Sequence, residues 1–421
     1  MYLKNNTRYR RRRGWIPMWR VLLWLLAPVL IFVGIGIYQN REQFIPLVNQ
    51  AVNNVVADAN AIVETMQAPT PIPTADPTLR VRRADTAWQQ GSFQEAITLY
   101  GEVIDVLPND HVTHIKYALG LLMNGRDQEA LLAAENAVTA NPFASDGWSV
   151  QAMALSRAGR YGEALASALY ALELNPESAR AHAAVAEGYF DLGQTERATL
   201  ELERALALDP DGFEAYYVQA RIDAEGTYDF EAAKQNLQIA YDLSGGMAVI
   251  GVALALEDIA RGNEEAGVTQ LKTMNERNPY NPLVLAELGA YYYRNGDLPR
   301  SAEYLMQCVG NTPSAYYCHF WLGRGQYAAE QTDLAAESFT AAIDAGSNQP
   351  QHYYWASQAQ RDLGNCTSSQ EYLETGYDLA LAINSRFLPD YEVALRDNPC
   401  GGFNPLPSAS PTPDATPVNE T

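Results

Sequence analysis

Small residues return every 34 positions along this chain, and that recurrence restricts its fold more than any other feature. Ala96, Ala130, Ala164, Ala198, Ala232 and Ala266 are each 34 apart, as are Gly91, Gly125, Gly159 and Gly193, and Pro108, Pro142, Pro176 and Pro210. After one inserted residue between 266 and 279 the register resumes with Pro279, Pro313, Gly296, Ser301, Ala335, Gly364 and Ser369. A fixed period of this length means that one supersecondary unit is stacked many times, each copy burying the apolar face of its neighbour. Nine units fit.

Each repeated residue has a physical reason. Glycine ends a helix by taking the left-handed conformation, alanine lets two helices approach closely, and proline is tolerated at a helix boundary. The full pattern is clearest in Trp148-x-x-x-Ala152-x-x-Leu155…Gly159…Ala164…Pro176 and in Leu288-Gly289-x-x-Tyr292…Gly296…Pro313, with Ala335…Phe339…Ala342 in the unit that begins near Tyr316. These residues resemble the tetratricopeptide repeat family, and the match covers most of residues 79–383. The resemblance implies an all-α solenoid of about nine helix-turn-helix units. Two departures stand out. The unit around 247–281 carries the extra residue and a weak first helix, and Pro299 falls near the start of a second helix, where proline is permitted.

The ends of the chain have a different character. Residues 1–20 hold seven Lys or Arg and no acid, and residues 21–38 (VLLWLLAPVLIFVGIGIY) run without a charge. That length is just enough to cross a hydrocarbon core of about 30 Å as a helix. The cluster Arg8, Arg10, Arg11, Arg12, Arg13 and Arg20 would keep residues 1–20 in the cytoplasm and send the rest across the membrane. The run ends in Tyr38-Gln39-Asn40-Arg41 without a small-residue cleavage pattern, so an uncleaved single-pass anchor is expected. Residues 39–66 read as a juxtamembrane helix, 67–78 as a Pro/Thr spacer, and 79–404 as the repeat domain with a carboxyl-terminal cap. Residues 405–421 (PLPSASPTPDATPVNET) carry too little apolar surface to offset the entropy of ordering by themselves.

Charge narrows the partner. The chain has a formal net charge of −21, and beyond residue 20 it holds 22 basic against 50 acidic side chains. So acidic a body repels phosphate backbones, which argues against nucleic acid. The remaining partners are a protein or peptide, the membrane through the anchor, and, as an alternative, a glycan.

No pattern points to catalysis or to a cofactor. His111 and His114 lack further ligands at metal-binding spacing, and Asp209-Pro210-Asp211-Gly212 lacks the later acids of a calcium loop. Neither a nucleophile motif nor a phosphate loop occurs. The expectation is a protein-binding scaffold on the extracytoplasmic side, neither an enzyme nor a metalloprotein; the alternatives are a glycan-binding accessory subunit in cell-surface polymer assembly or a passive structural spacer. The four cysteines all follow the anchor, where disulfides are permitted. Spacing suggests Cys308 with Cys318 and Cys366 with Cys400; the alternative for the first two is that they are small buried residues at helix contacts.

In the resembled family the first helices of successive units line a concave wall. Helical phase then places Ser149, Met153, Arg157, Arg180, Glu187, Asp191, Tyr217 and Arg221 on the amino-terminal half of that wall, a mixed surface of low information. The carboxyl-terminal half presents Tyr293, Arg294, Tyr317, Phe320, Trp321, Arg324, Tyr327, Tyr354, Trp355, Gln358 and Arg361. Tyr, Trp and Arg dominate binding hot spots because they combine rigid apolar area with a polar handle. Interleaved Arg favours an extended acidic peptide over a sugar; the alternative is that many of these rings pack between units.

Overall fold

A computed structural model describes residues 76–382, 385–397 and 400. The predicted anchor at 21–38, the juxtamembrane helix at 39–66, most of the spacer and the tail at 405–421 lie outside the described residues. Among those described, no helix is long and apolar enough to cross a membrane.

The described chain is all-α, with nineteen α-helices and no strand. Nine pairs follow one another: α1 (Pro77–Gln89) with α2 (Phe93–Ile104), α3 (His111–Met123) with α4 (Asp127–Ala140), α5 (Ser145–Arg157) with α6 (Tyr161–Leu174), α7 (Ala179–Asp191) with α8 (Thr195–Leu208), and α9 (Phe213–Arg221) with α10 (Phe230–Leu243). They continue with α11 (Ala248–Ala260) and α12 (Glu264–Arg277), α13 (Pro282–Arg294) and α14 (Leu298–Asn311), α15 (Tyr316–Ala328) and α16 (Thr332–Asp344), and α17 (Pro350–Asp362) and α18 (Cys366–Ala382). Helix α19 (Leu388–Arg396) folds back on α18. The first helix starts within the predicted spacer because Asp76 caps it, accepting a hydrogen bond from the Thr78 amide at 3.0 Å. Pro299 sits in the first turn of α14, where a missing N–H costs nothing.

The inserted residue is not where the sequence spacing put it. The fully buried small residue of each second helix is Ala96, Ala130, Ala164, Ala198, Ala233, Gly267, Ser301, Ala335 and Ser369 in turn. Ala232 and Ala266 are therefore one position out of register, and the step of 35 falls inside the fifth unit. There the usual turn glycine is replaced by Tyr228. Helix α9 ends after nine residues in a π turn, Ile222–Gly226, and Tyr228 takes φ +58° in place of glycine. A single extra residue absorbed as a π bulge leaves the flanking helices in phase. Helix α11, expected to be weak, is a regular 13-residue helix.

Two local devices repeat along the array. In four inter-unit turns Asn or Asp precedes Pro, and its carboxyl or amide oxygen accepts from the amide two residues on: Asn141 from Phe143, Asn175 from Glu177, Asp209 from Asp211 and Asn278 from Tyr280, at 3.1–3.2 Å. A side chain six residues after the turn position then reaches back to its carbonyl. His114, Trp148, His182, Tyr216 and His319 bond Pro108, Pro142, Pro176, Pro210 and Pro313, and Tyr353 bonds Ser347. The histidines at 114, 182 and 319 are thus ties at helix starts, and Asp209-Pro210-Asp211-Gly212 is one of these turns.

The solenoid winds tightly enough for early units to touch late ones. Asn281 donates to Asn124 at 2.7 Å, Tyr317 to the Gly125 carbonyl at 2.8 Å, Ser314 to Glu129 at 3.1 Å and Gln128 to the Gly346 carbonyl at 3.3 Å. Asn348 donates to the Ala158 carbonyl. A Cβ on Gly91 would lie 3.0 Å from the Gly245 carbonyl oxygen, so glycine is also needed there for the close approach. One continuous core accordingly mixes Ile97, Ile115, Met153 and Val150 of early units with Tyr217, Leu237, Val249 and Leu254 of later ones.

The last unit is closed by α19, whose Tyr391 and Leu395 are buried against Leu373 and Ala380 of α18. Tyr391 donates to the Pro350 carbonyl. The Cys366–Cys400 disulfide, with Cα atoms 5.1 Å apart, pins the chain after α19 to the start of α18; Cys308–Cys318 joins α14 to α15 at 6.0 Å.

Candidate interaction surface

The tight winding changes the amino-terminal half of the concave wall. Ser149, Met153, Glu187 and Tyr217 are buried there instead of facing solvent. The charged residues pair at a spacing of one unit or nearly so. Arg180 meets Glu214 at 2.9 Å, while Arg221 meets Glu187 at 2.8 Å and Asp191 at 2.8 Å. Arg157 donates to the Tyr217 hydroxyl at 2.8 Å. Burial holds the Glu187 carboxyl above its ordinary value even with Arg221 beside it. These residues form a paired network that lines a cavity of about 510 Å³ beside Arg157, Asp191, Tyr217 and Arg221, so the wall is mixed in charge, with Arg180 and Arg221 matched by carboxylates.

The carboxyl-terminal half differs. Helices α13, α15 and α17 are the first helices of the last three units, so residues 34 apart stand side by side across them. One row is Glu287, Trp321 and Trp355; the next is Ala290, Arg324 and Gln358; the third is Tyr293, Tyr327 and Arg361. The Arg324 guanidinium lies 3.8 Å from the Trp355 ring centroid and 5.3 Å from that of Tyr293, whose hydroxyl accepts from it at 2.9 Å. Arg294 lies 5.7 Å from the Trp321 ring. Tyr293 and Trp321, Tyr327 and Trp355, and Tyr354 and Trp355 are each in ring contact at 5.7–5.8 Å. The result is one connected strip of half-buried rings.

The strip's cations are unevenly satisfied. Arg361 pairs with Asp362 at 3.0 Å. Arg294 and Arg324 stack on rings and join no ion pair among the described residues. Tyr327 donates to Asp362, and burial together with that carboxylate pushes its hydroxyl up to about 12, so it stays a donor. Glu287 was not singled out from the sequence, although it is one unit before Trp321. Its carboxyl is raised chiefly by burial, with Arg294 opposing the shift.

Three sequence-selected residues are not part of the strip. Phe320 is 1% exposed and packs on Phe339, with His352 stacked 3.9 Å away, because it sits one residue round the helix from Trp321 and faces α16. Gln358 is 7% exposed. The hydroxyl of Tyr317 is occupied at the seam by Gly125. Tyr293, Arg294, Trp321, Arg324, Tyr327, Tyr354, Trp355 and Arg361 keep exposed or half-buried side chains.

Sequence reasoning also passed over a cavity of about 670 Å³ in the first units, lined by Trp88, Tyr100, Ile115, Leu119, Phe143 and Phe213. Phe143, in the Asn141-Pro142-Phe143 turn, is 78% exposed. Its signal was an aromatic at a turn position that elsewhere holds Asn109, Glu177, Asp211 or Ser314, and a second aromatic only at Tyr280. No cluster of three or more metal-ligating side chains occurs among the described residues, and His111 faces Asn141 at 3.2 Å.

Comparison with known proteins agrees with the period. Models described as tetratricopeptide repeat match residues 81–145, 155–222 and 286–350. No curated protein matches the chain. Among solved structures, an APC/C hetero-tetramer, Cut9-Hcn1, is similar over 80% of this chain and 80% of its own at 12% identity, with a TM-score of 0.47. A tetratricopeptide repeat protein from Parabacteroides merdae is similar over 59% of this chain and 98% of its own at 18% identity, with a TM-score of 0.42.

Proposed function

We propose that this chain, whose 34-residue units are tetratricopeptide repeats, is a membrane-anchored scaffold that holds an extended acidic stretch of a partner protein against the α13–α15–α17 strip, outside the cytoplasmic membrane. The observation that carries the reading is that Arg294 and Arg324 stand among Trp321, Trp355 and Tyr293 and join no ion pair among the described residues, in a chain whose acids far outnumber its bases. A guanidinium held flat on a ring keeps its free N–H edge for a ligand carboxylate, which it can engage bidentately. The neighbouring rings supply rigid apolar area at little entropic cost. An extended backbone laid across three parallel helices would meet one such row after another.

The anchor rests on the uncharged run at 21–38 and the arginines before it. The extracytoplasmic side rests on that orientation and on two pairs of cysteines placed for disulfides. The chain acts as a binding protein and not as an enzyme. The test is a pull-down from detergent-solubilised envelope, with the full chain as bait and the Trp321→Ala/Arg324→Ala variant as control. A protein retained by the first and lost from the second supports the reading. A polysaccharide retained in its place would turn the assignment toward glycan, and equal retention of every protein by both baits would remove the strip from the account.

A further inference from the structure

We propose that a second cavity of about 670 Å³, on the seam where the first two units meet the fifth to seventh, is a binding site for a small carboxylate with an apolar body. None of its lining residues belongs to the strip, so this site stands apart from that surface. The cavity lies between two seam contacts, the Asn124–Asn281 hydrogen bond and the approach of Gly91 to the Gly245 carbonyl, and all four of these residues line it. Its volume falls within the range of small-molecule sites, roughly 300–1,000 Å³.

The lining is short of acceptors where it is most buried. Asn281 caps α13 by accepting from the Val284 amide at 3.0 Å, which fixes the orientation of its carboxamide. Its N–H2 then donates to Asn124 at 2.7 Å, so the oxygen is the half of Asn124 that is spent. The Nδ2 of Asn124 is buried without a hydrogen-bond partner, on a residue only 3% exposed. An unmade bond of this kind is costly to bury, and an acceptor on a ligand would satisfy it.

Two further features have the same sign. Helix α2 begins at Phe93, and its N-cap Ser92 makes no capping hydrogen bond. Residues 92–95 line the cavity, so the positive end of a 12-residue helix borders it. Arg277, in the last turn of α12, lines it as well and joins no ion pair among the described residues. Glu95 is the one acid of the lining; it is exposed and sits in the first turn of α2, where a carboxylate suits the helix dipole. Phe93, Met274 and Val284 are buried walls, and Tyr241 and Tyr280 add rings. A carboxylate brings the acceptors that these donors lack, and its hydrocarbon body suits the walls. Because the lining comes from both sides of the seam, an occupant would hold early and late units together.

The experiment uses benzoate as probe and benzamide as its neutral isostere, each titrated into the full chain in detergent and followed by saturation-transfer NMR. A fragment of this size is expected to bind in about the millimolar range. Asn124→Asp keeps the bond from Asn281, removes the free donor and adds a negative charge, while Arg277→Gln removes the cation at an exposed position. The expected result is saturable benzoate binding, weakened about tenfold or more by Asn124→Asp and about threefold by Arg277→Gln. Benzamide, whose N–H2 can donate to the new carboxylate, should bind Asn124→Asp at least as well as the wild type. Absence of saturable benzoate binding overturns the proposal, as do equal losses of benzoate and benzamide in Asn124→Asp, or benzoate binding that both variants leave unchanged. Should Asn124→Asp lose its cooperative unfolding transition, Arg277→Gln decides, and an unchanged benzoate affinity in that variant overturns the proposal.

Discussion

Replacing Arg221 by Gln tests whether the inner wall of the array is an interior. The guanidinium bonds Glu187 and Asp191, each at 2.8 Å, and both carboxylates are only 4% exposed as side chains. Glutamine at 221 would leave two buried charges without their cation. Breaking a buried pair in this way costs about 3–5 kcal/mol, because the abandoned charge pays its desolvation in full. Arg157 remains close enough to lower Glu187's affinity for a proton, so the lower end, about 3 kcal/mol, is expected. The pH dependence has a defined sign. Glu187 already sits above the ordinary carboxyl value, and losing Arg221 raises it further. A folded state that holds the proton more tightly than the unfolded one loses stability as pH rises through the raised value. The variant's deficit should therefore be largest at neutral pH and shrink toward pH 5, where protonation removes the buried charge. The assay is urea unfolding followed by circular dichroism at pH 7.5 and pH 5, with hydrogen exchange of α7 and α9 to localise the loss. A deficit below about 1 kcal/mol at neutral pH, or one independent of pH, would show that water reaches these carboxylates and that the lumen is open.

Other consequences follow from single positions. A Cβ at Gly267 would lie 2.4 Å from the Ala255 carbonyl oxygen and 2.7 Å from the Ile259 side chain. Gly267→Ala should thus destabilise by about 1–3 kcal/mol, against the gain of roughly 1 kcal/mol that alanine brings to an exposed helix; urea midpoints decide the sign. Asp127 has a buried, unpartnered oxygen and a carboxyl that burial pushes up to about 6. Its cost is absent below the unfolded value near 3.8 and fully present above pH 6. Asp127→Asn should therefore raise stability by about 1–3 kcal/mol at pH 7.5 and leave it little changed at pH 4, in the same unfolding assay. Tyr391→Phe removes the buried hydroxyl's hydrogen bond to the Pro350 carbonyl. It should cost about 1–2 kcal/mol, seen as faster amide exchange in α17 and α18 ahead of the rest of the array.

The repeat was legible because each recurring residue answers a local steric need, independent of what lies across the array. The same logic failed in the fifth unit. Ala232 and Ala233 are neighbours, and spacing alone chose the wrong one; only burial separates them, with the π turn at Ile222–Gly226 taking up the extra residue. The aromatic strip was legible as a set of types on one helix face, since Trp321/Trp355 and Tyr293/Tyr327 recur at 34. What the sequence could not convey was long-range closure. Tyr317 has the phase of a wall residue, yet its hydroxyl bonds Gly125, 192 positions earlier. Pairing of unit two with units seven and eight depends on the accumulated twist of the whole solenoid, which no local pattern encodes. Phe320 was misplaced by one residue of helical phase, about 100°, enough to exchange solvent for the core. Glu287 was overlooked because an isolated acid among apolar residues carries no motif.

The most direct test of the account is site-specific photo-crosslinking in intact envelope. A benzophenone amino acid is placed at Tyr293, Tyr327 or Tyr354 on the strip, or at Leu200, which is 55% exposed on the second helix α8. The account predicts a discrete protein adduct from the strip positions, diminished by Arg324→Ala, and none from Leu200. Adducts of equal yield from Leu200 and the strip, or adducts from Leu200 alone, would contradict it.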